Sequence, residues 1–315
     1  MKKIQRYITD KDYRLLFKAG RGKYDKLPDE EYLEKIFKAS MGYSLNLENP
    51  QTFNEKLQWL KLYNRNPVYT VMVDKYKVRD YIKETIGEEY LIPLLGVWDR
   101  ADDIDFDALP NQFVLKCNHN SGLGMYICKD KSKLTKKQIK VIRKNLTKGL
   151  QQDYYLTGRE WPYKNVPRKI IAEKYMEDKE TGELRDYKFF CFNGTVDCVM
   201  LCFDRSSGDT KFYFFNRDWN LLRYNIRGKN APENFTLKKP TNIAEMFELS
   251  AKLSVGIPFV RIDLYNSNNQ IYFGEFTFYP DSGFDNNLLK ETDIHFGSLI
   301  TTGENNAYNR ISDKS

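Results

Sequence analysis

Apolar and polar residues alternate with a helical period in the first part of the chain, residues 1–66. Thr9 can cap one short helix, and Pro28, followed by three acidic residues, opens another that ends before Gly42. At Thr52 the letters TFNE form a capping box that begins the run FNEKLQWLKLY. We therefore expect an N-terminal region of short helices.

A longer run of helical period extends from Val68 to Ile86, and Gly87 is a typical residue to end it. Four apolar runs beyond it have the length and residue types of strands: YLIPLLGVWD, QFVLKCN, GMYICK and RKIIAEKYM. Between the third and the fourth run, the lysine-rich stretch 129–148 returns to a helical period. The pattern predicts a helix, three strands, a basic helix and a fourth strand, in that order.

The remaining pattern is dominated by strands. The stretch from Tyr187 to Phe215 is rich in strand-forming residues, and its Asn193-Gly194 pair is a strong hairpin turn. The run TNIAEMFELSAKLSVG is helical in period, with Asn242 as a candidate cap. Two last strand-like runs, FVRIDLY and QIYFGEFTF, flank the turn-like cluster NSNN. We expect an α+β fold in which antiparallel sheets carry helices on their faces.

Asp263 and Glu275 stand in these last two runs, where an ordinary strand would hold an apolar residue. Because side chains alternate between faces along a strand, Asp263 should share its face with Tyr265, and Glu275 with Phe273. An antiparallel hairpin would bring the two carboxylates together, and they would repel each other unless a cation lay between them. Arg261 or a divalent ion could supply that charge. The hairpin alone is consistent with a binding site and with a solvated sheet face.

The composition is that of a globular protein. With 315 residues, 41% hydrophobic and 30% charged, the chain is long enough for two domains or one large domain. No run is long enough to span a bilayer, and the basic N-terminus lacks the apolar core of a secretory signal. Five cysteines without C-x-x-C spacing indicate reduced thiols. We expect a cytoplasmic protein.

The net charge of +7 favours anionic ligands such as nucleotides, sugar phosphates or an acidic membrane surface. In the stretch 129–148 an apolar stripe lies on one helix face and lysines lie on another. The basic face is either simply solvated or makes peripheral contact with the anionic surface of the inner membrane. No nucleic-acid-binding motif accompanies it, so we expect no nucleic-acid partner.

A strand lysine and a glycine loop are candidates for phosphate binding. Lys116 ends a predicted strand, and the loop HNSGLG that follows contains Gly122 and Gly124. Glycines let the backbone approach phosphate oxygens, and lysine meets them as a point charge. The loop joins two strands, which excludes the Walker and Rossmann loops. A plain hairpin turn would explain the two glycines equally well.

Further charged residues lie at the ends of the next two strands. Glu173 stands near the end of RKIIAEKYM, and Asp186 and Lys188 open the strand that follows. A carboxylate at this place could accept a hydrogen bond from an amine or a ribose hydroxyl. Surface charges around a turn are the alternative.

The order of these motifs resembles that of the ATP-grasp superfamily. The chain contains D-K-x-x-x-R, a strand lysine with a glycine loop, an apolar strand ending in E-K-Y-M, and R-I-D-x₁₁-E-x-T-x-x-P-x-S-G. The stretches FNEKLQWLKLYNRNP and HNSGLG are similar to the teichuronopeptide-biosynthesis (TupA-like) branch, which is associated with bacterial capsule and cell-wall polysaccharide loci. The resemblance covers roughly residues 50–290. It implies an ATP-grasp domain over residues 67–300, with two α+β subdomains that grip a nucleotide, after a helical region 1–66 and before a frayed polar tail 301–315.

The resemblance also implies a nucleotide-binding role for each matching residue. The ATP phosphates would be contacted by Lys75, Lys116, Ser121, Gly122 and Gly124. The adenine and the ribose would be contacted by Glu173, Lys174, Tyr175, Met176, Asp186 and Lys188.

By the same resemblance, Asp263 and Glu275 would hold one or two Mg²⁺ ions, and Arg261 would stabilise the transferring phosphoryl group. Thr277 stands where the family pattern has a metal-binding Asn, and its shorter reach leaves the number of ions open. His119 would either act as a base near the acceptor or fix the loop.

The activity implied is ATP-driven ligation, in which a carboxylate takes the γ-phosphoryl group and an amine then displaces phosphate from the acyl phosphate. The acceptor would be a small molecule or a polysaccharide precursor, such as a sugar acid. Three alternatives stay open: a glycosyltransferase, for which the D-x-D matches within residues 103–107 lack a metal-site context, an ATP-grasp kinase, and a non-catalytic carbohydrate-binding module.

Overall fold

The computed structural model describes residues 2–179, 182, 184–203 and 208–302. Its N-terminal part is helical, as the sequence pattern predicts. The first four helices are α1 (Lys2–Thr9), α2 (Lys11–Ala19), α3 (Asp29–Met41) and α4 (Phe53–Tyr63). Beyond residues 301 and 302, the predicted polar tail lies outside the described residues.

Two of these helix starts show the local capping chemistry. Thr52 and Glu55 form the predicted capping box of α4, in which Oγ1 of Thr52 accepts a hydrogen bond from N of Glu55 (3.2 Å). The prediction that Thr9 caps a helix is wrong, because Thr9 is the last residue of α1. Asp10 caps α2 by accepting from N of Tyr13 (2.8 Å), and aspartate is a better N-cap than threonine.

The single long helix predicted over residues 68–86 is wrong. Asp74 interrupts it, because its Oδ1 accepts from N of Tyr76 (2.9 Å) and from Nδ2 of Asn118 (2.7 Å). N of Lys75 donates to O of Asn118 (3.1 Å), so Lys75 lies in a turn and not on a helix. The two helices on either side are α5 (Val68–Val73) and α6 (Val78–Thr85).

A four-stranded antiparallel sheet has the strand order β1, β4, β2, β3. Its strands are β1 (Leu94–Trp98), β2 (Phe113–Cys117), β3 (Tyr126–Cys128) and β4 (Ile170–Lys174). Helix α7 (Lys136–Gln151) covers one face of this sheet and buries Ile142 and Leu146 of the predicted apolar stripe. The lysines of the opposite helix face are exposed: Lys137, Lys140, Lys144 and Lys148.

A six-stranded antiparallel sheet has the order β10, β9, β5, β6, β7, β8. Its strands are β5 (Arg185–Phe192), β6 (Thr195–Phe203), β7 (Lys211–Phe215), β8 (Leu221–Leu222), β9 (Val260–Ser267) and β10 (Gln270–Thr277). Both predicted hairpin turns are confirmed. Asn193 and Gly194 join β5 to β6, Asn268 and Asn269 join β9 to β10, and all four have positive φ, as tight two-residue hairpin turns require.

Helices cover both faces of the six-stranded sheet. The remaining helices are α8 (Tyr155–Gly158), α9 (Ile226–Lys229), α10 (Ile243–Leu253) and α11 (Lys290–Ser298). On one face, Phe247 of α10 packs edge-on against Phe189, with 5.1 Å between ring centroids. On the other face, Phe53 of α4 contacts Phe190 and also Phe296 of α11. Helix α4 therefore belongs to the core of this sheet, although it precedes residue 66.

Asn242 precedes α10, but the prediction that it caps this helix is wrong, because its side chain makes no capping hydrogen bond. Its Oδ1 instead accepts from Nδ2 of Asn266 on β9 (2.6 Å). This bond to the neighbouring strand occupies the oxygen that a cap would use. In the described part of the chain, none of the helices is long and apolar enough to cross a membrane.

A bulge at Gly274 decides which side chains of β10 share a face. Asp263 pairs with Glu275, and the register shifts between Phe273 and Glu275. The prediction that Phe273 and Glu275 share a face is therefore wrong. Phe273 lies with Phe276 in the core, with 5.0 Å between their ring centroids. A Cβ at position 274 would lie 2.9 Å from O of Asp263, which explains the glycine.

The register of this sheet aligns one residue from each strand in a row. In strand order the row is Glu275, Asp263, Lys188, Met200, Phe214 and Leu222. Directly paired side chains lie on the same face of a sheet. One face is therefore charged toward β10 and apolar toward β8.

Candidate active site

Asp263 is the centre of the charged end of this row. Its carboxylate is 1% exposed and accepts hydrogen bonds from Nε (2.6 Å) and Nη2 (2.8 Å) of Arg261 and from Nζ of Lys188. Burial alone would raise the pKa of Asp263, but the charges and hydrogen bonds of Arg261 and Lys188 outweigh burial and hold it below the usual value. Asp186 also lies close to Lys188, with 3.4 Å between Oδ2 of Asp186 and Nζ of Lys188. The predicted residues of β5 and β9 thus meet in one buried network.

Glu275 and Thr277 of β10 complete this charged end. Glu275 lies 4.0 Å from Nη2 of Arg261 and 3.5 Å from Nζ of Lys75, and its side chain is 33% exposed. Thr277 accepts from Nη2 of Arg261 through Oγ1 (3.1 Å). Lys75 reaches this place from the turn between α5 and α6, and its Nζ also donates to O of Asn120 (2.9 Å). Lys75 therefore ties the loop after β2 to the charged end of the large sheet.

A second cluster lies on the four-stranded sheet. Nζ of Lys116 lies 2.6 Å from Oε2 of Glu173, and Nη1 of Arg79 lies 3.8 Å from Oε1 of the same carboxylate. Glu173 is 7% exposed, so its charge is balanced by the two cations. Arg79 is the last residue of the D-K-x-x-x-R motif, for which the resemblance implies no separate role. In the structure Arg79 lies beside Glu173, next to Lys116, and both of these residues are predicted to bind the nucleotide.

The glycine loop joins β2 to β3, as predicted. Gly122 has φ +82° in open space, and Ser121 is exposed beside it. Gly124 has φ +73°, and a Cβ there would lie 2.9 Å from the Cα of Gly149 on α7. Gly124 is thus fixed by close packing, whereas Ser121 and Gly122 form the accessible tip.

His119 lies at the base of this loop and is 1% exposed. Its Nε2 is 3.1 Å from O of Gln152, and burial lowers its pKa. Nδ1 is buried and has no hydrogen-bond partner among the described residues. This geometry agrees with a loop-fixing role more than with a base. Its role stays a prediction.

The other predicted nucleotide residues are spread around these clusters. Lys174 ends β4 with an exposed side chain, and Tyr175 and Met176 follow it half-buried. Oη of Tyr175 donates to Oε2 of Glu177 (3.0 Å). The described contacts do not join these three side chains to the Asp263 network. Their part in binding adenine stays a prediction.

The donor set at the charged end suits a magnesium ion that is bound together with a nucleotide. Asp263 and Glu275 face each other in register, and carboxylate oxygens are preferred Mg²⁺ ligands. The described residues contain no group of three or more His, Cys, Asp or Glu side chains that could hold a metal ion. Two carboxylates and the hydroxyl of Thr277 therefore need phosphate and water oxygens to complete a coordination shell. Both oxygens of Asp263 hold cations in this structure, so metal binding requires Arg261 or Lys188 to turn away.

Three buried polar residues of α4 support the site, and the sequence analysis did not predict them. Asn54, Gln58 and Lys61 are each at most 1% exposed. Their positions follow the helical period of the apolar core face, and polar residues at core positions are the signal that was available. All three bind the segment that follows β10, which adjoins Arg261.

Comparison with solved structures finds distant matches to several ligases. D-alanine–D-alanine ligase from Bacillus anthracis complexed with ATP is 15% identical (TM-score 0.42), over 73% of this chain and 62% of that one. The Helicobacter pylori D-alanine–D-alanine ligase is also 15% identical (TM-score 0.44), over 79% and 69%. The ATP-grasp ligase PsnB with minimal precursor, Mg and ADP is 9% identical (TM-score 0.40), over 90% and 72%.

The family assignment depends on the sequence itself. No curated protein matches the chain. A family model described as TupA-like ATPgrasp matches residues 55–301, well over half of the chain and every residue of the two clusters. The chain therefore belongs to the TupA-like ATP-grasp family.

Proposed function

We propose that the protein is an ATP-dependent carboxylate–amine ligase that works through an acyl phosphate. The observation that carries the proposal is the buried Asp263 opposite Glu275, with Arg261, Lys188 and Lys75 around them. Carboxylates next to lysine and arginine on one sheet face suit the triphosphate of a nucleotide with its Mg²⁺. Family membership supports the same assignment.

In this mechanism the protein positions reactants and balances charge. Lys75 and Lys116 would bind phosphate oxygens after releasing Glu275 and Glu173. Arg261 would leave Asp263 and bind the γ-phosphoryl group as a carboxylate substrate attacks it. Asp263 and Glu275 would hold Mg²⁺, which when bound neutralises phosphate charge. The products of this first half-reaction are an acyl phosphate and ADP.

The second half-reaction joins an amine to the activated carbonyl carbon and releases inorganic phosphate. We propose that the carboxylate belongs to a sugar acid or polymer precursor of bacterial cell-surface polysaccharide. The resemblance of FNEKLQWLKLYNRNP and HNSGLG to the teichuronopeptide branch supports this finer assignment.

The test is phosphate release from Mg-ATP across a panel of uronic acids and amino acids. Glu275→Gln should lower it about 100-fold or more, because charge stabilisation of the phosphoryl group contributes several kcal/mol. Glu291→Gln, an exposed acid on α11, is the matched control and should behave as the parent. Full activity of Glu275→Gln would overturn the metal assignment. A phosphorylated acceptor without free phosphate would identify a kinase instead.

Asp263→Asn is a less clean variant for this purpose. Removing its charge takes away the carboxylate that Arg261 and Lys188 share, and breaking a buried ion pair typically costs about 3–5 kcal/mol. A loss of activity in Asp263→Asn therefore has to be read beside its urea unfolding curve. Glu275 is one-third exposed, so its substitution separates chemistry from folding.

A further inference from the structure

A cavity of about 700 Å³ adjoins the charged end of the large sheet. Lys188 and Arg261 form part of its wall, and the apolar continuation of the register row forms the floor through Met200 and Phe214. Half-buried Phe212 adds an aromatic side chain. The volume lies in the range of small-molecule sites. A molecule held here would lie next to the place proposed for phosphoryl transfer.

The cations in the cavity wall are already paired. Arg261 and Lys188 share Asp263, and Nη2 of Arg227 lies 2.7 Å from Oδ1 of Asp209. The wall also contains two acids, Asp281 and Asp285. Among the described residues neither of these acids is in an ion pair. Asp281 and Asp285 are therefore the charged groups of the wall that can bind a cationic group of a ligand.

The segment that carries the two acids is held rigidly by α4. Nζ of Lys61 donates to O of Ser282 (2.6 Å), and Nε2 of Gln58 donates to O of Gly283 (2.6 Å). Oδ1 of Asn54 accepts from N of Asp285 (2.8 Å). Asp281 and Ser282 have φ of +49° and +53°, a conformation that non-glycine residues rarely adopt. Three buried polar side chains thus fix a strained turn at the edge of the cavity.

Asp285 is the more enclosed of the two acids. Its Oδ1 accepts from N of Asn287 (2.8 Å), and its side chain is half-buried, whereas that of Asp281 is exposed. Burial and the charges of Asp281 and Asp293 raise its pKa to about 6, against hydrogen bonds from Asn287 that lower it. The charged groups that face it from the other walls are those of Lys188, Arg227 and Arg261. A carboxyl group with this pKa is ionised at neutral pH and is still able to accept a proton.

We propose that this cavity binds the amine substrate, a molecule with a primary ammonium group on a body the size of an amino acid or an amino sugar. The inference rests on the proposed ligase function. Asp281 and Asp285 bind the ammonium group, and Phe212 and Met200 contact the body. One proton passes to Asp285, which frees the nitrogen lone pair. The nitrogen attacks the acyl carbon, a C–N bond forms, the C–O bond to phosphate breaks, and the second proton leaves with inorganic phosphate.

The experiment compares two nucleophiles on the same acyl phosphate. Hydroxylamine is a neutral nucleophile at neutral pH and traps acyl phosphates as hydroxamates without a base. The parent protein is first screened with hydroxylamine across the carboxylate panel, and then with amino acids and amino sugars as amines. Asp285→Asn should lower amide formation about 100-fold, as loss of a general base does, and lower hydroxamate formation far less. Glu291→Gln is again the control.

Binding is measured separately by thermal shift. At least one of glucosamine and lysine amide should stabilise the parent, and its fully N-acetylated form, which lacks any ammonium group, should not. Whichever of the two amines stabilises the parent identifies the body as sugar or amino acid. Equal stabilisation by the acetylated forms would overturn the inference, and so would amide formation by Asp285→Asn within about threefold of the parent. If the parent forms no hydroxamate with any carboxylate, the proposed ligase function fails instead.

Discussion

Replacing Lys61 with methionine tests how far the site depends on α4. Nζ of Lys61 donates three hydrogen bonds, to Oε1 of Gln58 (2.9 Å), O of Gly158 (2.7 Å) and O of Ser282 (2.6 Å). The side chain is 1% exposed, and burial lowers its pKa to about 7. Methionine has a similar length and flexibility, so the substitution removes the bonds and leaves little cavity.

The expected loss of unfolding free energy follows from these contacts. Three bonds from a charged donor contribute at least about 1.5 kcal/mol each. Relief of the burial penalty on the ammonium group offsets part of this, which leaves a net loss of about 3 kcal/mol. Glu160, whose pKa is raised by burial and lowered by the charge of Lys61, loses that charge as well.

The assay is urea unfolding of the parent, Lys61→Met and Lys140→Met, the last being an exposed lysine on α7. The midpoint of Lys61→Met should fall with an unchanged slope, and Lys140→Met should match the parent. Amide formation by Lys61→Met should fall at temperatures where the variant is still folded, because Ser282 loses a hydrogen bond that fixes the turn. A destabilisation below about 1 kcal/mol would refute the reasoning about the three bonds.

Three further predictions concern the loop, the cavity and the nucleotide. Gly124→Ala should lower the free energy of unfolding by about 2–4 kcal/mol, because the φ of Gly124 is +73° and the new Cβ would lie 2.7 Å from the buried sulfur of Cys117. Gly122→Ala should lower it by about 1 kcal/mol, because position 122 lies in open space. Equal losses for the two variants in urea unfolding would contradict this. Because burial raises the pKa of Asp285 to about 6, the folded chain keeps a proton that the unfolded chain loses near 3.8, so stability should fall as pH rises between these values. In unfolding curves measured across this pH range, Asp285→Asn should make the decrease in stability smaller by at most about 3 kcal/mol. An unchanged pH dependence in this variant would argue against the raised pKa of Asp285. Lys116→Met should weaken Mg-ATP binding about tenfold or more in calorimetry, and parental affinity would exclude a phosphate contact.

The elements that were predicted correctly from the sequence are those that neighbouring residues determine. The capping box at Thr52 and the turns at Asn193-Gly194 and Asn268-Asn269 depend on neighbouring residues alone, and all three are present. The helix predicted over 68–86 was wrong because Asp74 binds Asn118, which is 44 residues away. The face of Phe273 was wrong because the bulge at Gly274 adds one residue to the strand register. Neither cause is visible in a local pattern.

The order of charged motifs along the chain was enough to predict the family, because motif order is a property of the sequence itself. The roles of Lys116, Glu173, Asp263 and Glu275 stay predictions. Only the tertiary structure decided their pairing: Asp263 with two cations, and Glu173 with Lys116 and Arg79. It alone placed Asn54, Gln58 and Lys61 against a turn between 221 and 231 residues further along the chain. A buried polar side chain has to find a hydrogen-bond partner, but its own neighbours in the sequence do not show where that partner lies.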